Sequence, residues 1–172
     1  MLLGAPCAGS ADEISLVSLG VRARFDNRRV LGVVQPETFR EYDAMATFAL
    51  PWEWYGASGW GVGTRLLASA GALRGARRTA LVASLLPALA FGDRMGRFVL
   101  DVGLGAAALS KHHFGRQDFG GPLQFALTAG LRVPLYDRFS VGYRFLHYSD
   151  AALYGSDTIG ADFHMAEITY RF

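Results

Sequence analysis

Hydrophobic and polar residues alternate with a period of two along most of the chain. In "LGVRARF", residues 19–25, apolar side chains alternate with Gly and Arg, and in "YDAMATFAL", residues 42–50, they alternate with polar residues and Met. This period is that of a β-strand with two different faces. Eight segments of about ten residues can be read as strands; they begin near Leu19, Tyr42, Trp60, Leu81, Phe98, Leu123, Phe139 and Asp162. The fourth, Leu81 to Phe91, is apolar on both faces and has the weakest strand signal.

The two faces of these strands differ in side-chain size and charge. One face carries mostly large apolar residues, whereas the other combines Gly and Ala with charged residues. Eight strands enclose a space only wide enough for side chains, so the small and charged face fits the interior and the apolar face fits lipid. The sequence therefore predicts an all-β fold, an eight-stranded antiparallel transmembrane β-barrel of the outer-membrane type. The predicted inward charges are Arg22, Arg24, Arg65, Arg132, Arg144, Arg171, Glu41, Asp43, Asp101 and Glu167.

The connections support this prediction. From the third onward they alternate between long and short: "GALRGAR", "GDRMG", "SKHHFGRQDFGG", "PLYDR" and "DAALYGSDTIGA". Outer-membrane barrels have long external loops and short periplasmic turns. "PWEWYGASGW", residues 51–60, is accordingly predicted to be a periplasmic turn whose three Trp residues lie in the interfacial girdle. The last strand ends on Phe172 with outward aromatics, which resembles the assembly signal of outer-membrane barrels.

The amino-acid composition argues against several other classes of protein. Of 172 residues, 51% are hydrophobic, yet the apolar run Thr79–Phe91 is shorter than the roughly 20 residues that a membrane helix needs. The net charge is +2, with 17 basic and 15 acidic residues scattered along the chain, so nucleic acid is not an expected partner. Cys7 is the single cysteine, which excludes an intramolecular disulfide and a CxxC pair.

The first residues have the composition of a processed leader. In "MLLGAPCAGSADE" small residues precede Asp12, as at the cleavage end of a secretory signal. We expect residues 1–11 to be the remnant of a signal peptide and residues 12–172 to form a single barrel domain. Pro6 occupies the position where a lipid-attachment motif has a small residue, so lipidation of Cys7 is the weaker alternative.

Two polar residues continue the apolar face of the seventh strand. In "FSVGYRFLHYSD", residues 139–150, His147 and Ser149 have the same parity as Phe145. An imidazole beside a hydroxyl is the base and nucleophile pair of acyl transfer. Asp162 has the outward parity at the facing end of the eighth strand, where it can orient the imidazole. The alternative is that these residues are polar only because the strand leaves the bilayer there.

Other polar residues lie near the same end. His164 is a second outward histidine, an alternative base or a partner of Asp162. The loop "KHHFGR" contains His112 and His113 between Lys111 and Arg116. No carboxylate or Cys lies at ligand spacing in this loop, so a solvated basic loop is favoured over a metal site.

At these residues the chain resembles the PagL-type lipid A 3-O-deacylases, a family of eight-stranded outer-membrane esterases. The resemblance rests on "HYSDAALYGSD", on "TIGADFHMAEITYRF" and on "FVLDVGLGAAALS" with its following loop. It implies His147 as base, Ser149 as nucleophile and Asp162 as orienting acid. Asp162 replaces the usual Glu, Asp150 the usual Asn, and Ala152 the usual Gly.

The resemblance also implies a substrate, a location and supporting groups. The substrate is lipid A in the bacterial outer membrane, and no metal or organic cofactor is required. The backbone amides of Ala151 and Ala152 are the expected oxyanion donors, and an Asp150 carboxylate nearby would oppose that charge. Lys111 and Arg116 are expected to meet the lipid A phosphates. The rivals are a non-catalytic outer-membrane barrel and a soluble lipid-binding barrel of lipocalin type. Whether the protein forms a homodimer is left open.

Overall fold

Eight strands form a closed antiparallel barrel, as predicted. The computed structural model describes residues 13–31, 35–155 and 158–172, so the predicted signal remnant, residues 1–11, lies outside the described residues. The barrel order is β1-β10-β9-β8-β5-β4-β3-β2, and a small hairpin is formed by β6 and β7. No helix long and apolar enough to cross a membrane occurs in the described part of the chain. The strands are β1 (Ser15–Asp26), β2 (Arg40–Tyr55), β3 (Trp60–Gly75), β4 (Arg78–Asp93), β5 (Val99–Leu109), β6 (His113–Phe114), β7 (Gln117–Asp118), β8 (Leu123–Tyr136), β9 (Phe139–Ser149) and β10 (Ala161–Arg171).

The predicted facing of the strands is confirmed. On β4, whose alternation was weakest in the sequence, Leu81 and Leu85 are 70% and 58% exposed whereas Leu86 is fully buried. The strand is apolar on both faces because its inward side packs against other apolar groups of the lumen and its outward side is the apolar outer wall. The large side chains thus face outward, which is the arrangement of a membrane barrel.

Paired charges fill the middle of the lumen. The Arg144 guanidinium donates to Asp101 at 2.6 and 3.0 Å and to Glu167 at 3.0 Å, and all three side chains are almost fully buried. On the neighbouring strands β1 and β2, Arg22 donates to Asp43 at 2.7 and 2.9 Å. Each of these five buried charges therefore has a partner of opposite sign, the condition under which a barrel interior tolerates it.

Aromatic side chains close one end of the lumen. Phe114 and Phe119, which belong to the β6–β7 hairpin and its flank, are fully buried against Phe39 at ring-centroid distances of 5.3 and 5.8 Å. Phe163 of β10 joins the same group, 6.1 Å from Phe39 and 5.1 Å from Tyr148. The hairpin is therefore a plug, and the barrel interior is filled with side chains.

The connections at the two ends have different lengths. The end that holds the plug carries the segments 27–39, 110–122 and 150–160, and we call it the loop end. The opposite end, which we call the turn end, has the short connections 56–59, 94–98 and 137–138, together with the start of β1 and the end of β10. The three long connections thus lie at one end, together with the short turn between β3 and β4, and the other three short connections lie at the opposite end, which is the distribution of outer-membrane barrels.

Two predicted connections are wrong in detail. "GALRGAR", residues 71–77, is not a long loop, because β3 continues through it to Gly75, with Leu73 buried in the lumen, and β4 begins directly after it at Arg78. The actual connection is Ala76–Arg77, both at positive φ, as a two-residue hairpin turn requires. "PWEWY" belongs to β2, which accommodates Pro51 at a register shift between Ala49 and Glu53.

Candidate active site

His147 and Asp162 face each other across the β9–β10 pair. Their Cα atoms are register partners at the loop end, and both side chains have the outward parity. The imidazole Nδ1 lies 2.7 Å from Asp162 Oδ1. A carboxylate accepts hydrogen bonds, so Nδ1 carries the proton and Nε2 is left as the basic nitrogen. The ring is thereby fixed in the tautomer that a general base needs.

The Asp162 carboxylate is held from its other side by the β1–β2 connection. Its Oδ2 accepts hydrogen bonds from the amides of Val30 and Leu31 at 2.7 and 3.0 Å. The Asp162 amide in turn donates to Gln35 Oε1 at 3.3 Å. The Asp162 side chain is fully buried, although it lies on the apolar outer face, and Val30 and Leu31 lie against its carboxylate. Both carboxylate oxygens therefore have donors, which offsets the cost of burying the charge.

Nothing in the sequence indicated that the β1–β2 connection contacts Asp162. Val30, Leu31 and Gln35 lie between β1 and β2, in a stretch of sequence that has no period of two. Its amides act through the backbone, so no residue type marks them. The contribution of Gln35 and of the two amides arises from the tertiary fold alone.

Ser149 is the last residue of β9, two residues after His147 on the same face. Its Oγ accepts a hydrogen bond from the Ala151 amide at 3.1 Å. The His147 side chain is 16% exposed, and its ring edge passes Gly160, where an added Cβ would lie 3.3 Å from Cε1. Within the described residues, Ser149 Oγ has no hydrogen bond to His147. The expected base and acid are thus hydrogen-bonded to each other, whereas the expected nucleophile is not bonded to the imidazole, as is common in unliganded sites.

The two expected oxyanion donors lie in the turn that follows Ser149. Ala151 and Ala152 both have positive φ, 51° and 63°. The Ala151 amide is bonded to Ser149 Oγ, and the Ala152 amide donates to Asp150 Oδ1 at 3.2 Å. Both amides are therefore already engaged within the turn, and their role toward an oxyanion stays a prediction.

Asp150, the residue expected to oppose an oxyanion, has its own set of donors. Its carboxylate accepts hydrogen bonds from the Thr158 hydroxyl at 2.7 Å and from the amides of Tyr154 and Ala152. Burial raises the pKa of this carboxyl, but these donors more than offset it and hold the pKa below its ordinary value. Asp150 therefore acts as a brace of the β9–β10 connection.

His164 does not pair with Asp162. Its Nε2 lies 3.1 Å from the Arg28 carbonyl oxygen and its Nδ1 2.7 Å from the Tyr143 hydroxyl. A carbonyl only accepts, so Nε2 is the donor and Nδ1 accepts from Tyr143. Both ring nitrogens are occupied, which disfavours His164 as an alternative base and makes it an anchor for the β1–β2 connection.

The predicted phosphate-binding residues differ in their surroundings. Lys111 is exposed at the loop end. The Arg116 amide donates to Glu37 Oε1 at 3.1 Å, and its guanidinium donates to the Pro36 carbonyl at 3.3 Å. Arg116 therefore ties the β6–β7 hairpin to the β1–β2 connection.

The adjacent histidines contact a carboxylate that sequence spacing did not reveal. His112 and His113 lie 3.6 and 3.3 Å from the Asp118 carboxylate across the hairpin. Nevertheless, the described residues contain no group of three or more His, Cys, Asp or Glu side chains arranged to hold a metal ion. The three residues stabilise the hairpin.

Gln117 connects the same hairpin to the site. Its side-chain amide donates to the carbonyls of Ile159 and Gly160, the two residues that precede β10. The Ile159 amide donates to the Asp118 carbonyl at 2.8 Å. The plug thus fixes the start of the strand that carries Asp162, a connection that sequence periodicity does not report.

Comparisons with known proteins agree with the fold. The chain matches solved structures described as "Crystal structure of the outer membrane enzyme PagL" (TM-score 0.72, 18% identity, 90% of this chain and 99% of that one) and "Backbone structure of the Yersinia pestis outer membrane protein Ail in phospholipid bilayer nanodisc" (TM-score 0.51, 15% identity, 92% and 99%). At these identities the likeness concerns the fold. No curated protein matches the chain. The family model described as "Lipid A 3-O-deacylase (PagL)" matches residues 40–171, which include all of the strands from β2 to β10. The chain therefore belongs to the PagL family of lipid A 3-O-deacylases.

Proposed function

We propose that this protein hydrolyses the ester-linked 3-O acyl chain of lipid A by a Ser-His-Asp mechanism, with Ser149, His147 and Asp162 as nucleophile, base and orienting acid. The observation that carries the proposal is the 2.7 Å contact of His147 Nδ1 with Asp162 Oδ1 on the outer wall. A buried carboxylate that orients an imidazole beside a serine is the arrangement of acyl-transfer enzymes.

The reaction follows from this geometry. Ser149 Oγ attacks the ester carbonyl carbon while its proton passes to His147 Nε2, and Asp162 stabilises the resulting imidazolium. Collapse of the tetrahedral intermediate breaks the bond to the sugar oxygen, which takes the proton from His147. Water then attacks the acyl-enzyme with His147 again as base, and the fatty acid leaves. All charges that develop are met by side chains and backbone amides of this chain.

The outward facing of the site suits a lipid substrate. His147 and Ser149 continue the face that carries Phe145, so an acyl chain that lies against the barrel reaches Ser149 without leaving the membrane. We place the loop end toward the outer leaflet of the bacterial outer membrane, where lipid A resides. A site that faced the lumen would be inaccessible to this substrate, because the aromatic plug closes the loop end of the lumen.

Supporting groups come from the loop end. We assign the Ala151 amide, which already contacts Ser149 Oγ, to the developing oxyanion, with the Ala152 amide as a second donor once its bond to Asp150 opens. Lys111 is assigned to a lipid A phosphate. Arg116 is the less available of the two cations, because its guanidinium is near Glu37.

Mass spectrometry of lipid A tests the proposal. Lipid A from cells that express the protein is expected to lose one 3-O acyl chain, and the Ser149→Ala variant is expected to abolish the loss. Ser140→Ala, which removes a buried hydroxyl from the inward face of the same strand, is the matched control and is expected to retain activity. Intact lipid A with both the unaltered protein and Ser149→Ala would favour a non-catalytic barrel.

A further inference from the structure

The outer wall has a trough that extends to Ala166 and Ile168 of β10 but has no lining residue on β9, the strand that carries His147 and Ser149. Its volume is about 1100 Å³, and it is centred on β2 and β3 near the loop end. A second depression of about 550 Å³ continues it toward the membrane centre. Both are lined by the same outward alanines at their junction, namely Ala44, Ala70, Ala83 and Ala108.

The trough is concave because small residues lie between larger ones. The alanines leave room at the centre, whereas Tyr42 and Leu81 border it nearer the loop end. Along β3, the span from Arg74 to Ala68 is six residues, or about 20 Å at the rise of a strand. The trough thus extends over roughly one leaflet of a bilayer whose hydrocarbon core is about 30 Å thick.

Two arginines lie above the trough at the loop end. Arg40 of β2 and Arg74 of β3 are register partners, both are exposed, and both have the outward parity of the trough. Like charges directly opposite on neighbouring strands destabilise a sheet. Among the described residues, neither guanidinium has a carboxylate within ion-pair distance. An anion that binds both would remove the repulsion.

A cationic pair above an apolar trough is complementary to a phosphorylated acyl lipid. Guanidinium groups bind phosphate through two parallel hydrogen bonds, and an acyl chain fills a concave apolar wall better than a flat one. A second copy of this chain is a poorer occupant. In a two-fold dimer of parallel barrels the same patch meets itself, so the arginine pairs of the two copies would approach each other.

We propose that the trough binds a second, non-catalytic lipid A molecule, with a phosphate on Arg40 and Arg74 and an acyl chain along the alanines. The proposal rests on the proposed function only for the placement of the loop end in the outer leaflet. The two phosphate-binding positions are distinct, because Arg40 and Arg74 lie on β2 and β3, and β10 and β1 separate these strands from β9 on one side of the barrel.

Native mass spectrometry of the full chain in detergent with purified lipid A tests this proposal. Ser149→Ala serves as the background, so that the lipid is not consumed. Arg40→Gln combined with Arg74→Gln is expected to weaken the binding of one lipid A at least tenfold, as is Ala70→Phe, which fills the trough. Dephosphorylated lipid A is expected to bind this site as weakly as the double variant binds lipid A.

Matched controls are available on other walls. Arg138→Gln removes an exposed charge at the turn end, and Ala129→Phe enlarges an outward alanine of β8. Both are expected to keep the second lipid. Heat-modifiable migration on gels establishes that each variant forms a barrel.

Three results would overturn the proposal. These are unchanged lipid A binding by Arg40→Gln/Arg74→Gln, equal binding of the dephosphorylated lipid, and a dimer that Ala70→Phe dissociates while lipid binding is unaltered. Failure of the proposed function is distinguishable, because it would appear as no acyl release by a chain with Ser149 intact. The double variant with Ser149 intact is expected to release fatty acid at the ordinary rate.

Discussion

Asp162 binds His147 with one carboxylate oxygen and the backbone of the β1–β2 connection with the other. The first contact, 2.7 Å from Nδ1 to Oδ1, joins neighbouring strands. The second, to the amides of Val30 and Leu31, joins β10 to a segment more than a hundred residues away in sequence. The orientation of the imidazole and the position of that segment are therefore coupled through a single side chain.

Asp162→Asn is expected to lower kcat by about 10²- to 10⁴-fold, because an amide in this position stabilises neither the required tautomer nor the imidazolium. Asp162→Glu, which introduces the residue usual in the family, is expected to retain much more activity. Release of fatty acid from lipid A measures both. Asp137→Asn at the turn end is the control, and equal activity of Asp162→Asn and this control would contradict the assignment.

His164→Leu is expected to loosen the β1–β2 connection, since it removes the acceptor of the Tyr143 hydroxyl and the donor to the Arg28 carbonyl. We expect faster hydrogen exchange at the Val30 and Leu31 amides and a several-fold fall in kcat. His164→Gln, whose side chain both donates and accepts, is expected to restore part of each. If exchange at these amides is unchanged in His164→Leu, the anchor is not needed.

Gln117→Glu is expected to misplace the start of β10. A carboxylate cannot donate to the carbonyls of Ile159 and Gly160, and two unpaired carbonyls cost about 1 to 3 kcal/mol each. The measurements are the free energy of unfolding in urea and kcat for fatty acid release. Glu37→Gln, which alters another contact of the same hairpin, is the comparison. A larger loss of kcat in Glu37→Gln than in Gln117→Glu would show that the hairpin does not act on the site through Gln117.

Lowering the pH is expected to destabilise the β9–β10 connection, because it protonates Asp150. Its pKa is lowered in the folded protein, so the stability it contributes is fully present above its unfolded pKa of about 3.9 and is lost as pH falls through the folded value. Hydrogen exchange at the Ala152 and Tyr154 amides, compared with Asp150→Asn, measures this. The difference in exchange rate between the two proteins should be largest near pH 7 and should disappear as the pH falls below 4. A difference that increases in acid would contradict this prediction.

Arg144→Met is expected to destabilise the barrel strongly, by about 3 to 5 kcal/mol, because Asp101 and Glu167 lose the partner that compensates their buried charges. The midpoint of urea unfolding in lipid vesicles measures the effect. Adding Asp101→Asn to Arg144→Met removes one uncompensated charge and is expected to recover part of the loss. No recovery would show that packing, rather than charge, dominates at Arg144.

The barrel could be predicted from sequence because its inward and outward faces require different residues at every second position. The same parity, with the pairing of consecutive strands, placed Asp162 opposite His147, and the structure has them as register partners. The predicted connection between β3 and β4 was wrong because the Gly and Arg residues near Ala76 have the composition of a loop, although their backbone still pairs as part of the strands.

Contacts made by loops could not be predicted. The amides of Val30 and Leu31, the side chain of Gln117 and the plug formed by Phe114 depend on how irregular segments fold back onto the barrel. Such segments have no period, and their contacts join residues far apart in sequence. Shared parity placed Ser149 near His147 but did not predict that Ser149 Oγ would accept a hydrogen bond from the Ala151 amide.

The pairing of β9 with β10 also makes activity a reporter of correct assembly. A slip of one residue would turn Asp162 into the lumen and Phe163 out to lipid. A slip of two would keep the facing but bring His164, or Gly160, opposite His147 in place of the acid. Several misassembled barrels would still be closed, lipid-facing and resistant to denaturation, but each would lack the hydrogen bond between His147 and Asp162. Turnover therefore distinguishes a native barrel from a near-native one where gel migration does not.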